Sequence, residues 1–298
     1  MKMKAKWISL SALLIALLMA VPAMAAAPKT TVDDYPIVDG STATLPLSYA
    51  LMQAATDTTE EVAQATISHS KTTESFYALV DGRADLLLVY KPSQDAYDYA
   101  AQMGVKLLEK PIGRDALVFL VNPANPVESL TRDQLVGIYT GKAANWKDVG
   151  GSDLPIVAYQ RIENSGSQVM MEKQVMQGVP MMEAPKELRT DEMAELIDEV
   201  ASYKDAPSAI GYSVYYYVHN MYSSANIRLL QVGGVAPENA AIASGDYPFT
   251  QDFYAVVRAD APEESIQRKL YDWLTTEEGQ ALITGAGYVA VAGEEVEK

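Results

Sequence analysis

The segment Gln160-Arg161-Ile162-Glu163-Asn164-Ser165-Gly166-Ser167-Gln168 gathers the residue types that can hold a small oxyanion. Arg161 is a permanent cation with a fork of N–H donors. Ser165 and Ser167 add hydroxyls, and Gly166 between them lets the backbone approach a ligand closely. An apolar run at residues 155–159 precedes the segment and reads as a strand. Residues 169–176 follow it with helical spacing and stop at Gly178. The Ser-Gly-Ser turn therefore falls where a helix begins, and a helix N-terminus offers unpaired N–H groups and a partial positive charge. That combination suits an anion. It equally suits an ordinary N-cap beside a surface arginine, because serine is a common cap.

Two more turns share this character. Gly40-Ser41-Thr42-Ala43-Thr44-Leu45-Pro46 follows a strand-like stretch and opens a helix, with Pro46 suited to a first helical position. Ser68-His69-Ser70-Lys71-Thr72-Thr73-Glu74 opens the helix that carries Phe76 and Leu79. Each turn alone reads as capping, worth about 0.5–2 kcal/mol. Together with Arg161 they can converge on one ligand across a cleft. Hydrogen bonds to a charged group contribute about 1.5–3 kcal/mol each. A handful of them reaches the roughly 8 kcal/mol of micromolar binding.

The elements that must position these turns alternate between strand and helix. Strand-like stretches are residues 35–39, 85–90, 116–121, 209–212 and 253–257. Helical stretches are residues 46–55, 75–80, 93–103 and roughly 262–283. Residues 85–90 form a continuous apolar run, as in a strand covered on both faces. Residues 131–134, Thr-Arg-Asp-Gln, form a capping box before another helix. The Met- and acid-rich residues 181–203 read as a helix across one face, and Tyr215–Tyr217 as a strand flank. This alternation predicts an α/β chain with a largely parallel sheet.

Composition bounds the rest. Lys2, Lys4 and Lys6, an apolar stretch from Ile8 to Val21 and the small-residue ending Pro22-Ala23-Met24-Ala25 form a cleavable export signal over residues 1–25. The apolar stretch is short for a membrane span, which needs about 20 residues. The 298-residue chain has no cysteine. That excludes disulfides, thiolate metal sites and a lipid anchor at the cleavage point. The expectation is an exported protein, periplasmic or secreted, without a lipid anchor. Cleavage takes away three lysines and no acids, moving the formal net charge from −16 to −19. Such a chain avoids nucleic acid. Its field repels anions, so an anion site must work through short-range donors. The remaining length suits two lobes.

Taken in order along the chain, several motifs resemble the phosphate-binding proteins of bacterial phosphate ABC transporters, within the two-lobed periplasmic-binding-protein group. They are residues 111–118 (Pro-Ile-Gly-Arg-Asp-Ala-Leu-Val), Leu130-Thr131, Gln134-Leu135, residues 138–141 and Asn145-Trp146. Residues 161–168, residues 209–212, Gly279-Gln280 and Gly287-Tyr288 complete the set. The resemblance implies a type II periplasmic-binding-protein fold, each lobe a mixed, mostly parallel sheet flanked by helices, with a two-strand hinge. Lobe 1 would hold residues 28–113 plus 252–298 and lobe 2 residues 118–247. The crossing strands would lie near residues 111–116 and 247–253. It implies inorganic phosphate or a similar oxyanion as ligand, membrane permease subunits as partners, a monomer, no cofactor and no catalysis.

By motif, the resemblance carries ligand roles onto Thr44 and the backbone of Leu45 in the first turn, Ser70 or Thr72 in the second, and Arg161, Ser165, Gly166 and Ser167, with Glu163 orienting Arg161. One departure bears on specificity. Family members carry an acid after the strand at residues 85–89, where it accepts a phosphate proton and repels sulfate. Here the position is Tyr90, followed by Lys91. A tyrosine hydroxyl donates or accepts, so weaker discrimination between phosphate and sulfate is expected. His69 and His219, the only histidines, have no metal-ligand spacing and read as a loop residue and a structural one. No nucleophile elbow and no phosphate-loop Gly-Lys-Ser is present. A secreted signalling module that reuses the fold is the alternative reading.

Overall fold

The computed structural model describes residues 26–202, 206–222 and 226–291. The export signal expected at residues 1–25 lies outside them. Among the described residues no helix is long and apolar enough to cross a membrane.

One strand, Leu107–Val121, organises the molecule. Its residues 107–116 pair antiparallel with Thr250–Arg258, and its residues 117–121 pair antiparallel with Ala209–Val214. The strand thus changes its main partner between Ala116 and Leu117. From Ala116 onward all its residues are buried. The sheet runs Val38–Gly40, Leu86–Val89, Thr250–Arg258, Leu107–Val121, Ala209–Val214, Val157–Ala158. Its two end pairs are parallel and its middle is antiparallel, so the sheet is mixed as expected but mostly antiparallel and not mostly parallel, because the long strand pairs antiparallel with both of its main neighbours. Helices including Leu45–Thr56, Thr72–Val80, Arg132–Tyr139 and Met193–Ser202 complete the α/β layering.

The two segments expected to cross between lobes lie side by side, with Ala116 opposite Thr250 and Gly113 opposite Phe253. The register slips after Phe253, and Tyr254 faces Pro111. Proline brings no N–H to the ladder, and a bulge accommodates it. A side chain on Gly113 would run into the Phe253 ring, so only glycine permits this close crossing. The capping box forms as read: the Thr131 side chain accepts from Gln134 N and the Gln134 side chain from Thr131 N.

Two segments depart from the expectation. Residues 181–203 become helical only at Met193; a 3-10 turn, Lys186–Leu188, and a short strand, Arg189–Thr190, come first. The pairing of Arg189–Thr190 with Gln160–Arg161 holds that stretch extended, so the helix starts only beyond it. The helix buries Met193, Leu196, Ile197 and Val200 on one stripe. The tyrosine run does not flank the strand either. It turns helical after Val214 and continues into Tyr217–Met221. The Tyr216 N–H leaves the ladder and donates to the Asp115 carboxylate.

Candidate functional site

Arg161 closes a two-residue strand, Gln160–Arg161, that pairs parallel with Arg189–Thr190. This pairing delivers the chain's next carbonyls to the guanidinium. Nε donates to Thr190 O at 3.2 Å, Nη2 to Asp191 O at 2.6 Å and Nη1 to Ser167 Oγ at 3.4 Å. Arg161 is 5% exposed. All three acceptors are uncharged, and burial pulls its pKa below the ordinary arginine value. The carboxylates of Asp191 and Glu192 act on it through space, but its hydrogen bonds go to neutral acceptors, so a contact with an anion is still open to it.

Ser165 caps the short helix Gly166–Met170, its Oγ accepting from Gln168 N at 3.3 Å. The helix continues as a wider turn, Met171–Met176, and ends before Gly178. Ser165, Gly166 and Ser167 line a cleft together with Arg161. Opposite them stand Ser41, Thr42, Ala43, Lys71, Thr72 and Tyr90. The three turns therefore do converge. Ser41 and Thr72 share a hydrogen bond of 2.8 Å, and Ser41 Oγ accepts from Tyr90 N at 3.1 Å. A side chain on Gly166 would strike Thr72 Oγ1, so glycine sets how closely the walls approach.

The other residues expected at the site are placed elsewhere. Thr44 is fully buried behind the turn, its hydroxyl on the carbonyls of Ser41 and Leu88. The Leu45 N–H donates to Thr42 O, and its side chain packs toward Met52, Ala63 and Ile67. Ser70 gives its N–H and its hydroxyl to the Asp39 carboxylate, at 2.7 and 2.6 Å. Glu163 is exposed, and the carbonyls of Thr190 and Asp191 orient Arg161 instead of it. Lys91 lies 3.5 Å from Glu109 and over the Tyr254 ring, outside the residues that line the cleft. His69 is not a free loop residue. It bridges Ser41 O and Ser48 Oγ, and burial lowers its pKa. His219 stacks on Tyr215.

Tyr90 lines the cleft, but its hydroxyl donates away from solvent to Asp115 Oδ2 at 2.6 Å. Asp115 is buried in the long strand. Its Oδ1 accepts from Ala116 N and Tyr216 N. Burial pushes its pKa up to about 6 against the pull of these donors. Burial, with the neighbouring Asp115, pushes Tyr90 well above the ordinary tyrosine value. An acid thus stands behind the tyrosine, outside the residues that line the cleft.

Sequence reasoning missed Ser41, Thr42, Ala43, Lys71, Met193 and Val214 among the lining residues. Ser41 to Ala43 and Lys71 lie inside turns that were singled out. The hydroxyl-rich runs were the signal, and they do not say which hydroxyl faces inward. Met193 and Val214 carry no signal beyond hydrophobicity.

A model of the PBP superfamily domain matches residues 25–278. Phosphate-binding protein PstS of Bacillus subtilis is 27% identical over 191 residues, which is 64% of this chain and 60% of that protein. The chain therefore spans about 60% of the length of that relative. Among solved structures, a phosphate transport receptor from Vibrio cholerae superposes with a TM-score of 0.63 at 23% identity, covering 85% of this chain and 98% of that one. A protein from Clostridium perfringens, solved with bound phosphate, superposes with a TM-score of 0.67 at 24% identity, covering 86% and 98%. At these identities the likeness is one of fold, a two-lobed type II binding protein.

Proposed function

Since the chain belongs to the PBP superfamily, we propose that it captures a tetrahedral oxyanion, phosphate foremost, in the cleft and presents it to a membrane permease of the ABC type. The carrying observation is Arg161, a buried cation held only by neutral acceptors, beside a turn of serines. Asp191 and Glu192 act on Arg161 only through space, and no carboxylate among the described residues hydrogen-bonds it. An anion entering between Arg161 and the hydroxyls of Ser41, Thr72, Ser165 and Ser167 gives it a counter-charge in contact. The phosphate-binding relative from Bacillus subtilis and the phosphate in the Clostridium perfringens structure support the same ligand.

In this reading residues 28–113 with 252–298 form one lobe and residues 118–247 the other, of which residues 203–205, 223–225 and 292–298 lie outside the described residues. They close by rotation at the junction where the long strand changes partners. The protein acts as an exported monomer without a lipid anchor, and as a carrier with no catalytic role. Arg161, Ser165, Gly166, Ser167 and Thr72 are its ligand donors, joined by Ser41 and Thr42, while Tyr90 forms a wall. Isothermal titration with inorganic phosphate tests it directly. Saturable one-to-one binding that disappears in Arg161→Ala is expected, and an unchanged affinity in that variant overturns the site.

A further inference from the structure

Lys71 stands where lysine is rarely found. Its backbone has φ 77° and ψ 169°, a region nearly reserved for glycine because a Cβ crowds the chain there. A side chain is kept in such a place only where its surroundings hold it. The holding groups belong to the far wall of the cleft. Lys71 Nζ donates to Asp191 Oδ1 at 2.8 Å and lies 2.8 Å from Glu192 Oε1. Asp191 also supplies a backbone carbonyl to Arg161. One residue therefore fixes the buried arginine with its main chain and the opposing lysine with its side chain. Beside this ion pair a second bond crosses the same mouth, from Thr73 Oγ1 to Asn164 O at 3.0 Å. Asn164 likewise has a positive φ, 64°.

We propose that Lys71 is a latch: its ammonium, bridging Asp191 and Glu192, holds the two walls together and sets how long a captured anion stays. The retained ligand rests on the oxyanion reading above, whereas the closure does not. Asp191 and Glu192 are 62% and 57% exposed at their side chains. Solvent and salt screen such pairs, so the latch is weak and salt-sensitive. Contacts across a closed mouth act mainly on release, as most interface contacts do.

The absence of cysteine allows a clean test. Spin labels at Met103→Cys and Val179→Cys, both exposed positions, report the separation of the two sides by pulsed electron paramagnetic resonance. In ligand-free protein, Lys71→Met should shift the distance distribution to longer values. Salt near 1 M should do the same to the parent. Lys71→Arg, which keeps the charge, should preserve the parent distribution. Stopped-flow release of phosphate should quicken roughly two- to five-fold in Lys71→Met. Parent-like distances and release rates in Lys71→Met overturn the latch. Distances that respond to Lys71→Met and to salt, in a protein that binds no phosphate, uphold the latch and overturn the ligand.

Discussion

The two walls of the cleft treat their polar groups in opposite ways. On the Arg161 wall a full charge is buried and steadied by the carbonyls of Thr190 and Asp191. On the facing wall the hydroxyls are neutral and cross-linked to one another: Ser41 to Thr72, Thr44 to backbone, Ser70 to Asp39. One wall brings the field and the other brings a shaped set of short donors. In a chain of net charge −16 this division is economical. A single desolvated cation outweighs distant acids at contact range, while screening and distance blunt their repulsion.

The largest test removes the field. Arg161→Ala should weaken phosphate binding by at least about thirty-fold in titration calorimetry, since truncating one member of a buried, hydrogen-bonded charge pair costs about 2–5 kcal/mol. Arg161→Lys should recover only part, because a point charge cannot meet Thr190 O, Asp191 O and Ser167 together with the fork's geometry.

Next in size is the buried acid between the walls. The pKa of Asp115 is raised in the folded protein to about 6. Its contribution to stability is therefore fully present below the unfolded value near 4 and is lost as pH rises through about 6. Denaturant melts should show a loss of up to about 3 kcal/mol from this group between about pH 4 and pH 6. Asp115→Asn should flatten that part of the profile. It should also reverse the hydrogen bond with Tyr90, because an amide N–H₂ in place of Oδ2 makes the tyrosine the acceptor.

The hydroxyl wall should respond less. Thr72→Val is expected to cost about 1 kcal/mol of affinity, and Ser41→Ala a similar amount. The double variant should lose less than the sum, because each is the other's partner at 2.8 Å. Smallest for binding is Ser70→Ala. Its two bonds end on Asp39, so thermal stability should fall by about 1 kcal/mol while phosphate affinity stays the same. A large affinity loss in Ser70→Ala would place its hydroxyl on the ligand and undo the contrast between the walls.

Much of this arrangement was legible from local chemistry. The apolar run at residues 85–90 and the Thr131 capping box need only their neighbours to form, and both stand as read. The convergence of the three turns could be anticipated because each sits between a strand and a helix. The choice among hydroxyls within a turn could not. Thr44 and Ser41 are chemically alike, and the carbonyl of Leu88, 44 residues from Thr44, decides which one turns inward. Ser70 lost its expected role to Asp39, 31 residues away. The oxygen that completes Tyr90 comes from Asp115, 25 residues further along the chain. Long-range partners of this kind leave no periodicity and no motif behind them.

The carboxylate of Asp115 sits one residue before the long strand changes partners. One of its oxygens takes the Tyr90 hydroxyl; the other takes the amides of Ala116 and Tyr216. In the proposed closure the swing of the lobes passes close to these few atoms, as a door turns near its pin, so a single buried carboxylate ties the floor of the cleft to the strand on which the lobes would turn.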